Sequence, residues 1–406
     1  MSFEARQDAL AVETVRYGAD RSREIANRLD RTGVRPGDVR GVSDLAAVPP
    51  LSKDDLPALH AADPPFGGML AVPVRNLARV FRSPGPINDP EGRAEDYWGM
   101  SAAVKAGGFL GGDVVLNSLS YHLTPGGAML DSGLRAAGCV PIPGGSAKID
   151  DQVAAALAAD AAGYAGTPQF LLSLLERMRE VGRMPFRRAL VTAAPLPVRL
   201  RRRIRDEFEV DVYQAYGTAD AGLLGFECLW HDGWHVPTDK VIEIVDPGTG
   251  APLAPGEVGE VVVTSPNPTY PLLRFATGDL SALTRDRCGC EREGIRLTGF
   301  LGRVGAGVKV RGMFVHPREL GAELASDALV GRWRASVATG PDGRDLFTVL
   351  VEPAIGAEVD DGWKARLAVQ VGDASRVRPA VQVVAPGTIT ADAEVIVDER
   401  DGSDGR

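Results

Sequence analysis

The sequence predicts an α/β protein: a large N-terminal α/β domain carrying a β-rich subdomain, followed by a small C-terminal α+β domain. Three observations carry this. Short apolar runs alternate with helix-like stretches between residues 113 and 210, the texture of a largely parallel sheet. From residue 238 the chain turns β-rich, with Pro/Gly turns such as PGTGAPLAPGE between the runs. At GFLGRVGAG (299–307) glycines crowd the backbone, and beyond them a new strand run, LFTVLVEP, appears. The expected boundaries are 1–302, with the β-rich part at about 238–300, and 303–406.

Taken in order, residues 1–60 read as helices and turns, with Ser52 capping a short helix that starts near Lys53. DVVLNSL (113–119) and AAGCVPIP (136–143) have the length of buried strands, with a helix between them from about Pro125 to Ala137. Residues 150–182, rich in Ala and Leu, read as helical. ALVTA (189–193) reads as another strand, and RLRRRIRDEFEV (199–210) as an amphipathic helix whose arginines form a solvated face. KVIEIVDP, GEVVVTS and LLRF suggest an antiparallel or barrel-like sheet. The last residues, DERDGSDGR, are charged and expected to fray.

Composition narrows the function. The 406 residues hold 45 Lys and Arg against 54 Asp and Glu, a net charge of −9. No basic block is present, so neither nucleic acid nor an anionic membrane is an expected partner. No run of about 18 apolar residues appears. The N-terminal stretch mixes charges and lacks the apolar region of a signal peptide. Four cysteines in this length do not make a disulfide framework. A cytoplasmic protein with reduced thiols is the expectation.

Three segments are candidates for chemistry. VYQAYGTAD (212–220) ends a β-run at Tyr216, followed by Gly217 and a small polar cluster. It is either a plain strand-to-loop turn or one that aims an aromatic ring and the Asp220 carboxylate into a cleft at a strand's C-terminal end. In YPLLRFATGDL (270–280), Thr277, Gly278 and Asp279 read as a tight turn. Asp279 is either a turn former or an acceptor for both hydroxyls of a ribose. In GRVGAGVKVRGMFVHPREL (302–320), Lys309 and Arg311 share one face of a strand after a Gly-rich bend. They are either solvated or a hinge beside phosphates.

In this order and spacing the three segments resemble the adenylate-forming superfamily, and within it the phenylacetate–CoA ligase family. VPPLSKDDL (48–56), YAGTPQFLLSLLER (164–177) and EIVDPGTGAPLAPGEVGEVVVTS (243–265) extend the resemblance over nearly the whole chain. The resemblance implies the adenylate-forming fold with a mobile C-terminal domain, and a two-step ligase. A carboxylate attacks the α-phosphate of ATP, giving an acyl adenylate; the C-terminal domain then rotates and the thiol of CoA displaces AMP. It implies that Tyr216 and Gly217 lie near adenine and that Ala193, Ala194 and Pro195 line its pocket. Asp220 stands where the family holds Mg²⁺ with a Glu, Asp279 binds the ribose, and Arg303 touches ribose or phosphate. Lys309 and Arg311 ride on the swinging domain, with Gly305 at the hinge. His122, in SYHLTPGG (120–127), is either a turn residue or, as in relatives, part of the carboxylate site. A homodimer is the family's expectation.

The sequence also departs from the family. The phosphate loop, roughly Ser-Ser-Gly-Thr-Thr-Gly-x-Pro in relatives, is here RVFRSPGPINDPEG (79–92). Ser83 and Gly85 remain, the threonines are gone, and Pro84 and Pro86 have no N–H to offer a phosphate. Asp89 and Glu91 add negative charge, with Arg82 or Arg93 as candidate compensation. The family's C-terminal lysine is replaced at about Asp392, no lysine follows Lys364, and Ala219 replaces a hydroxyl residue. AMP or adenylate binding is therefore better preserved than ATP activation. The expected function is an acyl- or aryl-CoA ligase acting on a small aromatic or short-chain acid. The alternatives are acyl transfer from an adenylate or thioester to an amine or carrier protein, and a nucleotide-binding pseudoenzyme.

Three of the four cysteines lie in polar, Gly-containing turns, whereas Cys139 sits in an apolar run as free cysteines usually do. Cys228, His235, Cys288 and Cys290 would form a Cys₃His set suited to structural Zn²⁺. His235 is preferred to His231 because its G-x-H-V-x-x-D context resembles relatives that carry such a site. His316, before Pro317, is expected to be structural.

Overall fold

The computed structural model describes residues 2–304, 308–311, 313–315, 317–340, 344–357, 359–375, 377–390 and 395–400. The expected fraying end (from 401), Gly305, His316 and Asp392 lie outside the described residues. The chain divides into two compact units, Met1–Leu301 and Gly302–Arg406.

The first unit is built on a nine-stranded sheet. Its parallel half runs Val140–Pro143, Val114–Asn117, Gly163–Gly166, Arg188–Val191 and Asp211–Thr218 in space. Helices Gly126–Ala136, Ile149–Ala158, Pro168–Val181 and Val198–Phe208 make the crossovers. Val115, Leu116, Tyr164, Ala165, Leu190 and Val191 are fully buried, as two-sided helix cover demands of parallel strands. The other half is antiparallel: Gly222–Phe226, Trp234–His235, Arg296–Leu297 and Leu283–Thr284. A second sheet joins Val241–Val245, Gly259–Ser265 and Leu272–Ser281 antiparallel, with Leu51–Ser52 added parallel to the last. The N-terminal helices Phe3–Arg21 and Arg23–Thr32 cover it through Ala11, Val15, Ile25 and Leu29.

Several expectations hold. Ser52 Oγ accepts from the Asp54 N–H at 3.2 Å and opens the 3₁₀ turn Lys53–Asp55, which runs into helix Leu56–Ala62. The strands expected around 113–119, 136–143 and 189–193 and the helices after them are present.

Others are corrected. The stretch 150–182 is not one helix: Gly163–Gly166 interrupts it as a central strand, short and Ala/Gly-rich, so composition hid it. The β-run at 212–220 does not end at Tyr216 but continues to Thr218 and hairpins into Gly222–Phe226. Thr277–Asp279 is no turn but a bulge within strand Leu272–Ser281, where the pairing with Gly259–Ser265 slips and Gly278 takes φ 78°. The arginine helix is not wholly a solvated face, because Arg201 donates to the Val212 carbonyl (2.7 Å) and to the buried Glu227 (2.5 Å).

The second unit has a four-stranded sheet ordered Ala380–Val383, Asp345–Pro353, Val330–Thr339, Ile396–Asp398. Helix Asp361–Ser375 contributes Trp363, Leu367 and Val371 to its core, against Val337, Phe347 and Val349. Lys309 lies in strand Val308–Val310, and its side chain is outside the described ones. Arg311 is not on that strand. It sits in the turn after it at φ 49°, so the strand spacing stops one residue short.

Candidate active site and metal centre

The hairpin of strands Asp211–Thr218 and Gly222–Phe226 places Asp220 at its turn. Thr218 Oγ1 accepts from the Ala221 N–H (3.1 Å), and Trp98, itself buried, donates its indole N–H to the Ala219 carbonyl (3.1 Å). Gly222 has φ 70°, and a Cβ there would come within 2.5 Å of the Trp98 carbonyl oxygen, so only glycine fits. The Asp220 side chain is 1% exposed and pairs with Lys53 Nζ at 2.5 Å. Its other oxygen, Oδ1, is buried without a partner.

Ser83 and Gly85 stand on the hairpin Arg79–Ser83 and Ile87–Glu91, joined by only Pro84, Gly85 and Pro86. The Ser83 hydroxyl is committed to Asp89 Oδ2 (2.5 Å), and Asp89 Oδ1 is a second buried oxygen without a partner. Arg82 and Arg93 are exposed and turn to Asn88 Oδ1 and the Asn76 carbonyl. The nearby His60 is buried and accepts the Asn88 N–H on Nδ1 (3.4 Å), and burial holds its pKa down against the pull of Asp220.

Burial pushes the Asp89 carboxyl up to about 7; the charge of Asp220 adds to the rise, while Lys53 and Ser83 oppose it. A carboxyl raised on folding binds its proton more tightly in the folded chain. Its contribution is therefore intact below the unfolded value near 4 and is lost as pH rises toward 7. Asp89→Asn is expected to flatten the fall in melting temperature across that window; an unchanged profile in a thermal-unfolding series would show that Asp89 does not titrate there.

Tyr216 and Asp279 come together: the Tyr216 hydroxyl donates to Asp279 Oδ2 at 2.9 Å, and the Tyr216 ring stacks on Trp234 at 5.2 Å and 22°. The bulge that aims Asp279 is fixed by the Gly278 N–H on Glu260 Oε1 (2.9 Å). Gly217 lies in the same hairpin, opposite Leu223. Ala193, in the left-handed region at φ 62°, turns the chain after strand Arg188–Val191; Ala194 follows half-buried and Pro195 exposed. His122 is exposed, with Nδ1 3.3 Å from Ser146 Oγ. Arg303 is the second residue of the second unit, half-buried. The Arg311 guanidinium is tied to the Asp345 carbonyl (3.1 and 3.2 Å). Sequence reading missed Lys53, His60 and Trp234; the Lys-Asp-Asp after Ser52 looked like ordinary helix-capping charge.

The ligand atoms of Cys228, His235, Cys288 and Cys290 lie within 4.8 Å of one another, with Sγ of Cys228 and Cys288 3.6 Å apart and Cys290 Sγ 3.3 Å from His235 Nε2. All four cysteines are free. His231 instead stacks on Tyr213 and meets Arg201 and Glu227. The donor set fits a tetrahedral zinc ion.

The fold is that of the adenylate-forming proteins. Residues 94–270 match the AMP-binding enzyme family. The chain is 31% identical to the phenylacetate-coenzyme A ligase of Thermus thermophilus over 336 residues, 79% of this chain and 74% of that one. It is 28% identical to the phenylacetate-coenzyme A ligase of Aromatoleum evansii, over 70% of this chain and 68% of that one. It belongs to the phenylacetate–CoA ligase family. Among solved structures, a 2-hydroxyisobutyryl-CoA ligase shares the fold with a TM-score of 0.83 at 23% identity, covering 98% of this chain and 90% of that one. No helix among the described residues is long and apolar enough to cross a membrane.

Proposed function

We propose that the chain is an AMP-forming acid–thiol ligase that joins a small aromatic or short-chain carboxylic acid to CoA through an acyl adenylate. The observation that carries this reading is Lys53 on Asp220. It supplies a cation beside a phosphate loop that has lost its threonines, in a chain with no lysine after Lys364. Lys53 follows Ser52, which pairs with Ala276 on the strand that also bears Asp279.

In the first step a substrate carboxylate oxygen bonds to the α-phosphorus and pyrophosphate departs. In the second the CoA sulfur bonds to the acyl carbon, AMP departs, and the thiol proton goes to solvent. Asp279 accepts the ribose hydroxyls, with the Tyr216 hydroxyl fixing one of its oxygens. Tyr216, stacked on Trp234, lies near the adenine, beside Ala193, Ala194 and Pro195. Lys53 stabilises negative charge that grows on the phosphate, a fixed cation in a water-poor site. The two orphaned oxygens of Asp89 and Asp220 would hold Mg²⁺, which would supply charge neutralisation for the phosphates. Cys228, His235, Cys288 and Cys290 would hold Zn²⁺, whose four protein donors leave it a structural role. The roles that the resemblance gives Arg303, Lys309 and His122 belong to the same proposal.

The three-residue turn at Pro84–Pro86 and the engaged Ser83 hydroxyl favour a second reading: transfer of an acyl group from a preformed adenylate or thioester to an amine or carrier protein. Calorimetry separates the two. The ligase reading expects ATP·Mg²⁺ to bind within about tenfold of AMP, a difference under roughly 1.4 kcal/mol, and pyrophosphate release to require a carboxylic acid. AMP binding without ATP binding would overturn it in favour of the second.

A further inference from the structure

Lys53 follows the short strand Leu51–Ser52, and the two residues that lead into that strand, Pro49 and Pro50, offer no N–H, so they can be fixed by backbone hydrogen bonds only through their carbonyls. Two buried arginines take the carbonyls of Val48 and Pro49. Arg274 donates to the Val48 carbonyl (2.8 Å), and Arg28 to the Pro49 carbonyl (2.5 Å). Each has further anchors. Arg274 also reaches the Gly250 carbonyl (2.8 Å) and Glu243 (3.2 Å), and its backbone N–H donates to Thr264 Oγ1 (2.9 Å). Arg28 also reaches the Leu273 carbonyl (2.6 Å) and Glu24 (3.5 Å).

Arg274 is 1% exposed and sits inside a strand at φ 43°, a left-handed conformation that a non-glycine residue adopts only when its surroundings impose it. It stands beside the slipped pairing of Val263 and Ser265, which turns the side chain out of the regular alternation. The next two residues, Phe275 and Ala276, are the pairing partners of Leu51 and Ser52.

We infer that Arg28 and Arg274 form a carbonyl clamp that positions Lys53 against Asp220 and fixes it relative to Asp279 on the same strand as Arg274. They are positioning residues, and their effect on turnover rests on the ligase reading above. A guanidinium suits this task because its planar fork meets two acceptors at once, which an ammonium cannot do from one fixed geometry.

The test reads Lys53 directly. The chain has only six lysines, so limiting acetic anhydride followed by peptide mass spectrometry resolves each one. In Arg274→Met and in the milder Arg28→Lys, Lys53 is expected to acetylate several-fold faster than in the parent chain. Lys240, whose side chain is 7% exposed in the same unit, reports general loosening and is expected to stay unchanged. ATP·Mg²⁺-dependent turnover is expected to fall about 10²-fold, as for a small misplacement of a reacting group. AMP affinity is expected to hold, and adding Lys53→Met to Arg274→Met to bring little further loss. Unchanged Lys53 labelling, or an equal rise at Lys240, overturns the clamp. If the parent chain fails to use ATP, the ligase reading fails while the labelling still decides the clamp.

Discussion

Lys53→Met is expected to lower carboxylate-dependent pyrophosphate release by about 10²–10³-fold, the loss typical of one fixed transition-state stabiliser, while AMP binding changes little. The site explains the size. Lys53 acts on both Asp220 and Asp89, through the 2.5 Å contact to the first and by opposing the rise in pKa of the second. Removing it leaves two buried carboxylates, one of which already raises the pKa of the other, so stability falls as well. Breaking a buried pair from one side costs roughly 3–5 kcal/mol; with the Lys53 side chain 20% exposed, the low end applies. The two effects can be separated. Lys53→Met combined with Asp220→Asn removes the charge with its partner, and much of the lost stability should return without any recovery of turnover. If Lys53→Met alone keeps pyrophosphate release within a few-fold of the parent chain, Lys53 has no part in the chemistry.

What the sequence made legible follows from the range of the interactions. The parallel strands Val114–Asn117 and Arg188–Val191 were readable because each is a short, largely buried apolar run bounded by Gly or polar turns. Gly163–Gly166 was hidden because four small residues between Ala-rich helices carry no strand signature of their own. The bulge at Thr277–Asp279 looked like a turn because Gly278 does have positive φ; only the register with Glu260 and Val262 shows that the strand continues. Tyr216 and Asp279 were singled out separately, and their hydrogen bond spans 63 positions that no local pattern encodes. Lys53 is the extreme case, since its partner lies 167 residues away. The Cys/His set was readable for the opposite reason. Thiols in polar turns pointed to chemistry rather than packing, and the resemblance to relatives that carry such a site supplied the zinc reading and the choice of His235.

The other large effect lies at those thiols. Protein purified without chelators is expected to carry about one zinc per chain by elemental analysis, held by a closed four-donor set. Cys290→Ser removes the most accessible donor and should abolish stoichiometric zinc. Binding of structural zinc is worth roughly 10–16 kcal/mol in small peptides; in a unit with its own cores only the part coupled to the surrounding loops is lost. A loss of about 4 kcal/mol at 2–4 °C per kcal/mol gives a fall of roughly 10 °C in melting temperature. The consequence reaches the proposed nucleotide site by a short path. His235 shares strand Trp234–His235 with Trp234, and Trp234 carries the Tyr216 ring whose hydroxyl fixes Asp279. AMP affinity should therefore fall in Cys290→Ser along with stability. His231→Ala is the matching control: its ring meets Arg201, Glu227 and Tyr213 rather than the thiols, so zinc content should stay near one. A zinc ratio near zero in the parent chain would remove the metal centre. Zinc loss with unchanged AMP binding would leave a metal that holds the loops but does not support the nucleotide site.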